Sequence, residues 1–465
     1  MINIIKKVCL TALLAIICCV PMNSRAWAEE QRVNSRYAEA YFTSIAAASC
    51  LGVYLEEEDT EYNYLRSMGW EIEPHVSRLG KVETHYTVAK RFFRDVNKQV
   101  FMVTFRGSTT SYDWKINLKT KKVNYGGSTL AEIEETAKLP VTSQMPAVHG
   151  GFNTYATSVL RDSVVSDEGY LRGVFGYVQE TSDAVLILTG HSMGGAVATI
   201  VGTRLVDLGF PKDRLHILTF GAPAIGNTVY NENFANKLDV LRITNTNDPI
   251  PGSLQTFFSG YTQCGRQEKY HLSPQIGNMQ HDMAMYFDHS IINLYKIKDE
   301  EIAAGRMKDT PKAKLTKGVP KVALWIKTSP GLSKMPLMPP VRRLLIDQYA
   351  RVLPSYIIMD DKLDDEHTSH QHDLISVSAR VGADYIMICG IDSTREKNKQ
   401  NSWFLTQEQS LFYKNGQMLS VTDFAKKVVP AIGNVQAAGE NYLIALNEMR
   451  QYMPFIKPTA SGTIQ

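Results

Sequence analysis

Gly190-His191-Ser192-Met193-Gly194 stands between an apolar run ending at Thr189 and the helix-compatible run Gly195-Ala196-Val197-Ala198. A serine hydroxyl becomes a useful nucleophile only where the chain presents its oxygen and a base lies within reach. A sharp strand-to-helix turn presents the oxygen, and crowds its neighbours so closely that the flanking positions must be glycine. The pentapeptide alone would serve equally well as a helix-capping serine in a glycine-rich turn. The strand before it and the helix after it make it an elbow, with Ser192 as candidate nucleophile.

Such a serine needs a base, and the base needs an acid to orient it; around an elbow they follow in the order serine, acid, histidine. Asp248 lies in Asn247-Asp248-Pro249-Ile250-Pro251, just after the apolar run Val240–Thr244. That is where a loop leaves the carboxyl end of a parallel sheet, the edge at which such sheets place their sites. An aspartate before proline is also a common turn residue. The histidines after Asp248 are His271, His281 and His289, then His367, His370 and His372. Chain order alone leaves the choice among them open.

The elements that must position these residues are legible in outline. Arg36 to Leu51 carries small and apolar residues at helical spacing, and Thr84–Lys90 with Gln99–Phe105 reads as a strand hairpin. Ala184–Leu188, Leu215–Phe220 and Val240–Thr244 are short apolar runs separated by helix-like stretches, the pattern of buried parallel strands. The fold class is therefore α/β. Between Lys298 and Lys321 the composition turns to Lys, Asp, Glu, Ala and Pro without an apolar period, which reads as a linker over 301–320. After it, 321–465 reads as a smaller α/β unit in the order βαβαββα. Its predicted elements are Val322–Ile326, Pro340–Leu353, Tyr356–Met359, Leu374–Val381, Tyr385–Cys389, Phe404–Phe412 and Val435–Met449. With no apolar pattern in the linker to fuse two cores, the unit before it is expected to stand alone.

Five ordered motifs carry a resemblance. They are Phe105-Arg106-Gly107-Ser108 followed by Asp113-Trp114 and Asn117-Leu118; Val148-His149-Gly150-Gly151-Phe152; the elbow; Thr219-Phe220-Gly221-Ala222-Pro223; and Asn247-Asp248-Pro249-Ile250-Pro251. Over roughly residues 35–297 the chain resembles the class 3 lipase family, the fungal-lipase-like branch of the α/β hydrolases. The resemblance implies an α/β-hydrolase sheet over 29–300 and a lipase, phospholipase or esterase acting through an acyl-enzyme. It implies an oxyanion hole from Ser108 and the backbone N–H of Met193, and a base at His281, which heads a histidine-x4-tyrosine segment ending at Tyr286. His289 is the alternative base. It also places the family's lid at Thr109–Thr120. The following stretch, Gly126–Gln144, holds a helix start at Ser128-Thr129 and is only sparsely apolar, which weakens a triacylglycerol-droplet reading relative to smaller or more polar esters. The C-terminal third lies outside the resemblance.

Composition agrees with an exported globular enzyme. The 465 residues are 44% hydrophobic and 21% charged, enough to bury a full core in more than one domain. Lys6-Lys7, the apolar run Val8–Val20 and Ala26-Trp27-Ala28 read as a signal peptide over 1–28, cleaved to leave a secreted or periplasmic protein. Without that segment 47 basic residues face 47 acidic ones, so nothing favours nucleic acid as a partner. A lipid or other ester substrate is the expected partner, with at most transient contact with a membrane surface. Cys50, Cys264 and Cys389 are too few for a disulfide scaffold, although Cys50 and Cys264 could form one bridge. The cluster Asp360-Asp361, Asp364-Asp365-Glu366, His367, His370 and His372 lacks the fixed positions of a known metal loop and reads as a solvated acidic segment. No cofactor is expected. The rival from another class is an idle hydrolase domain serving as an envelope-binding module.

Overall fold

The computed structural model describes residues 35–54, 62–79, 82–94, 96–108, 121–164, 170–234, 237–258, 260–271, 280–359, 371–395, 403–428 and 434–456. The expected signal peptide, the lid segment Thr109–Thr120 and Asp360 to His370 of the acidic cluster lie outside those residues.

The first sheet begins with β1 (Glu71–Leu79), β2 (Val82–Phe93) and β3 (Lys98–Phe105). A separate two-stranded ribbon, β4 (Lys122–Asn124) with β5 (Ala147–His149), intervenes. The sheet resumes with β6 (Ala184–His191), β7 (Leu215–Phe220), β8 (Asp239–Asn245) and β9 (Arg266–Tyr270). Its order is β1-β2-β3-β6-β7-β8-β9, antiparallel as far as β3 and parallel from β3 onward. The expected hairpin is β2 with β3, and the three apolar runs are β6, β7 and β8.

These central strands are apolar on both faces because helices cover both. Helix α1 (Ser35–Gly52) precedes the sheet, α2 (Leu130–Lys138) follows β4, and α3 (Gly150–Val164) with α4 (Tyr170–Glu180) precede β6. Then α5 (Met193–Asp207) follows β6, and α6 (Met283–Ala303) follows β9. On one face Leu186, Leu188 and Ile217 pack with Val159 and Leu160 of α3, Val174 and Val178 of α4 and Val197 and Val201 of α5. On the other, Met102, Ile187 and Leu241 pack with Ile45 of α1 and Phe287 and Ile291 of α6. The expected α/β class is met by this mostly parallel sheet with helices on both faces. The predicted start of α2 has its cap: Thr129 Oγ1 accepts from the Glu132 N–H at 3.2 Å. The three cysteines among the described residues are buried and free. Cys50 belongs to the α1 side of the sheet and Cys264 to the α5 side, so no bridge joins them.

The second sheet comprises β10 (Ala313–Lys314), β11 (Val322–Thr328), β12 (Tyr356–Ile358), β13 (Tyr385–Arg395), β14 (Trp403–Tyr413) and β15 (Met418–Val428). Its order is β10-β12-β11-β13-β14-β15. Helices α7 (Met338–Val352), α8 (Gln371–Val381) and α9 (Asn434–Met449) accompany it. Two strands exceed the βαβαββα expectation: β10, which lies within the expected linker, and β15.

The expectation of separate cores is not met. Leu65, Phe287, Ile291 and Leu294 belong to one continuous apolar core with Val341, Leu344 and Leu345 of α7 and Val435 and Leu446 of α9. Polar links reinforce the seam. Asp347 on α7 accepts from Lys298 Nζ at 2.6 Å, Tyr295 OH at 2.9 Å and Thr310 Oγ1 at 2.5 Å. The physical reason is that α6 is apolar on two faces, one toward the first sheet and one toward α7 and α9. Composition between Lys298 and Lys321 says nothing about either.

Candidate active site

Strand β6 runs into α5 through Ser192, whose backbone sits at φ 56° and ψ −126°. Positive φ is strained for a residue with a Cβ and persists only where the surroundings enforce it. A Cβ on Gly190 would lie 2.3 Å from the Gly194 carbonyl carbon, and one on Gly194 would lie 2.1 Å from the Phe105 oxygen. Both glycines of the pentapeptide are thus required by close backbone approach. The turn is held by the Ser192 N–H donating to the Phe220 carbonyl at 2.8 Å, while the Ser192 carbonyl accepts from the Gly195 N–H at 3.1 Å.

Beyond the end of β8, Asp248 has its carboxylate fully buried and held by three donors. Its Oδ1 accepts from the Ile250 N–H at 2.9 Å, and its Oδ2 from the Tyr286 hydroxyl at 2.5 Å. The Nδ1 of His281 lies 3.0 Å from Oδ1 and 2.9 Å from Oδ2. An imidazole that donates Nδ1–H to a carboxylate keeps Nε2 as its basic nitrogen. His281 is in turn held by the elbow, because His191 Nε2 donates to the His281 carbonyl at 2.7 Å. The other ring nitrogen of His191 is 2.9 Å from the Tyr54 hydroxyl. Burial, and next the neighbouring His281, hold His191 well below the ordinary histidine range, so its ring is neutral with Nε2 protonated. Gly221, at φ 57°, closes the pocket: a Cβ there would sit 2.8 Å from Asp248 Oδ2 and 2.9 Å from the Tyr286 oxygen.

Ser108 comes off the end of β3 beside the first turn of α5, with its Oγ 3.6 Å from Met193 Sδ. The residue before it must be glycine, since a Cβ on Gly107 would lie 2.1 Å from the Tyr54 oxygen and 2.6 Å from the His191 carbonyl. Ser108 and the N-terminus of a fifteen-residue helix therefore flank the elbow, and helix N-termini favour negative charge.

The structure brings Asp248 and His281 together, and brings Ser108 beside Met193. His289 lies elsewhere. It is buried on the second turn of α6, its Nδ1 is 2.8 Å from Asn245 Oδ1, and burial pushes it down to about 4. His271 Nδ1 pairs with Thr246 Oγ1 at 2.8 Å. His149 is buried and stacked on Phe152 at 4.0 Å between ring centres, a packing role. Tyr54 and Asn245 were not legible as site residues. Tyr54 meets His191 across 137 residues of sequence, and no spacing signals it. Among the described residues no group of three His, Cys, Asp or Glu side chains is placed to hold a metal ion.

Residues 102–257 match the model of the family described as Lipase (class 3). Phospholipase A1-II 1 of Oryza sativa subsp. indica is 27% identical over 175 residues, 36% of this chain and 42% of that protein. Secreted mono- and diacylglycerol lipase A of Penicillium cyclopium is 30% identical over 117 residues, 25% of this chain and 33% of that protein. The chain thus spans less than half the length of either relative. Among solved structures, lipase II from Rhizopus niveus aligns at 18% identity over 52% of this chain and 83% of its own, with a TM-score of 0.39. Ser108, the elbow and Asp248 all fall within residues 102–257, the part of the chain that matches the class 3 lipase family.

Proposed function

We propose that this chain hydrolyses carboxylic esters of lipids, with Ser192 as nucleophile, His281 as base and Asp248 as the acid that orients it. The observation that carries the reading is the buried Asp248–His281 pair tied by the His191 hydrogen bond to the same elbow that strains Ser192. Ser192 Oγ attacks the ester carbonyl while His281 Nε2 takes its proton. The negative charge gathers on the carbonyl oxygen, where Ser108 and the Met193 N–H hold it; one such donor is worth roughly a hundredfold or more in rate. Collapse of the tetrahedral species breaks the bond to the alcohol, which leaves with the proton from His281. Water, deprotonated by His281, then attacks the acyl-enzyme, releases the acid and restores Ser192. No cofactor enters this sequence. Export follows from the reading of residues 1–28 as a signal peptide, and the secreted Penicillium relative supports it.

The test is hydrolysis of p-nitrophenyl esters of increasing chain length, repeated on phospholipid vesicles and acylglycerol emulsions, with fluorophosphonate labelling of Ser192. Folded protein that neither hydrolyses any of these nor takes up the label would leave the idle binding module as the reading.

Gly221→Ala probes the closeness of the site. Its Cβ would collide with Asp248 Oδ2 and Tyr286 at a positive φ. Turnover should fall about tenfold to a hundredfold, because a shift of about 1 Å in a catalytic group costs that order. A kcat within twofold of wild type would show that Asp248 can yield without cost.

A further inference from the structure

The first two turns of α6 are clamped from two sides. On the side of the first sheet, the Asn245 N–H donates to the Tyr286 hydroxyl at 3.0 Å, and that hydroxyl donates to Asp248. Asn245 also bonds the His289 ring through Oδ1 and the Gln280 carbonyl through Nδ2, the latter at 2.9 Å. The residues on either side of the Asp248–His281 pair are thereby fixed to the end of β8. The other side of the helix carries Asp288, fully buried.

Asp288 reaches across the seam to the start of α9. Its Oδ1 accepts from the Val435 N–H at 3.1 Å, and its Oδ2 from the Asn434 N–H at 3.3 Å and from Asn434 Nδ2 at 3.2 Å. A carboxylate without solvent is costly unless donors surround it. The backbone N–H groups in the first turn of a helix, which have no partner within the helix, are suited to the task, as is the positive end of its dipole. Burial pushes Asp288 up to about 6 against these three donors, so at pH 8 it is ionised and bonded. Asp288 lies two residues from Tyr286 and seven from His281.

We propose that the C-terminal unit is a positioning element of the hydrolytic site: the start of α9, bound by Asp288, holds the first turns of α6 where Tyr286 and His281 meet Asp248. This rests on the hydrolase reading above. Release of the Asp288 latch removes the buried polar tie between the first turns of α6 and the start of α9, and those turns can then shift enough to misalign His281. Asp288 acts through Tyr286 and His281 and touches no substrate.

The experiment uses the full chain at pH 8, well below its unfolding midpoint. It measures kcat and KM on a soluble short-chain p-nitrophenyl ester, and the rate of fluorophosphonate labelling at Ser192. Asp288→Ala should lower kcat and the labelling rate about tenfold to a hundredfold while KM stays within about threefold. Asp288→Asn keeps one acceptor oxygen and should fall between Ala and wild type. Asn434→Ala removes one of the three donors and should lower kcat a few-fold, so it carries the test even where Asp288→Ala does not fold. Tyr349→Phe is the control: it removes the Tyr349–Gln409 hydrogen bond in the second unit's core and should lower the midpoint without moving kcat. The proposal is overturned by Asp288 and Asn434 variants with lowered midpoints and wild-type kcat, or by Tyr349→Phe losing as much kcat as they do. Wild-type protein that is neither labelled nor active removes the hydrolase reading, and the coupling with it. Labelled wild type matched by Asp288→Ala removes the coupling alone.

Discussion

Ser192→Ala should lower ester turnover on the order of a millionfold and abolish fluorophosphonate labelling, while the protein still folds. The size of the effect follows from the way a triad works. His281 is oriented by two short contacts to Asp248, but without an oxygen to deprotonate it has nothing to activate in the acylation step. What remains is whatever water the oxyanion donors and binding can promote, a small residue of the whole. The fold should survive because alanine keeps the Cβ, the backbone strain at φ 56° and the 2.8 Å hydrogen bond from residue 192 to Phe220. Only a hydroxyl is lost from a buried position. Activity within tenfold of wild type, measured on purified protein with an unchanged circular dichroism spectrum, would falsify the assignment of Ser192.

How much of this was legible in the sequence depends on whether the physical constraint was local. The elbow was, because strand, turn and helix adjoin in the chain and the close approaches at Gly190 and Gly194 leave no room for a side chain. Asp248 was legible as the residue that leaves a buried strand at the carboxyl edge. The choice between His281 and His289 was not a matter of spacing at all; both lie near the start of one helix, and the resemblance alone preferred His281. Tyr54 carries no local signal, since only the fold brings the end of α1 against His191.

Two of the strands that the sequence does not announce, β1 and β15, share a cause. β1 contains Pro74 and β15 exposes Met418 and Val421, so neither shows the apolar run of a central strand. Both lie at sheet edges, where a proline is tolerated and one face meets water. The shared core was missed for a different reason. Apolar periodicity tells that a face of α6 is buried but not what buries it, and a polar connection between two units does not of itself mean two cores.

That shared core yields the other large effect: a chain ended near Lys298 should fail to fold as a soluble, cooperative domain. Phe287, Ile291 and Leu294 on α6 and Leu65 before β1 pack in one core with Val341, Leu344 and Leu345 of α7 and Val435 of α9. Removing the C-terminal unit uncovers part of that surface. At about 1.5–3 kcal/mol for a large apolar side chain fully returned to water, four of them set an upper bound of about 6–12 kcal/mol on the loss. A whole domain is stable by only about 5–15 kcal/mol. The polar links do not rescue the truncated chain, because Tyr295 and Lys298 lose Asp347 together and α6 loses the cap it gives to α9 through Asp288. The expected result is inclusion bodies, or a soluble fraction that binds a hydrophobic dye and melts without a sharp transition, while the full chain melts cooperatively. A truncated chain that is monomeric, melts sharply and hydrolyses a short ester at the full-length rate would show that the first sheet buries α6 by itself, and would also remove the positioning role of α9.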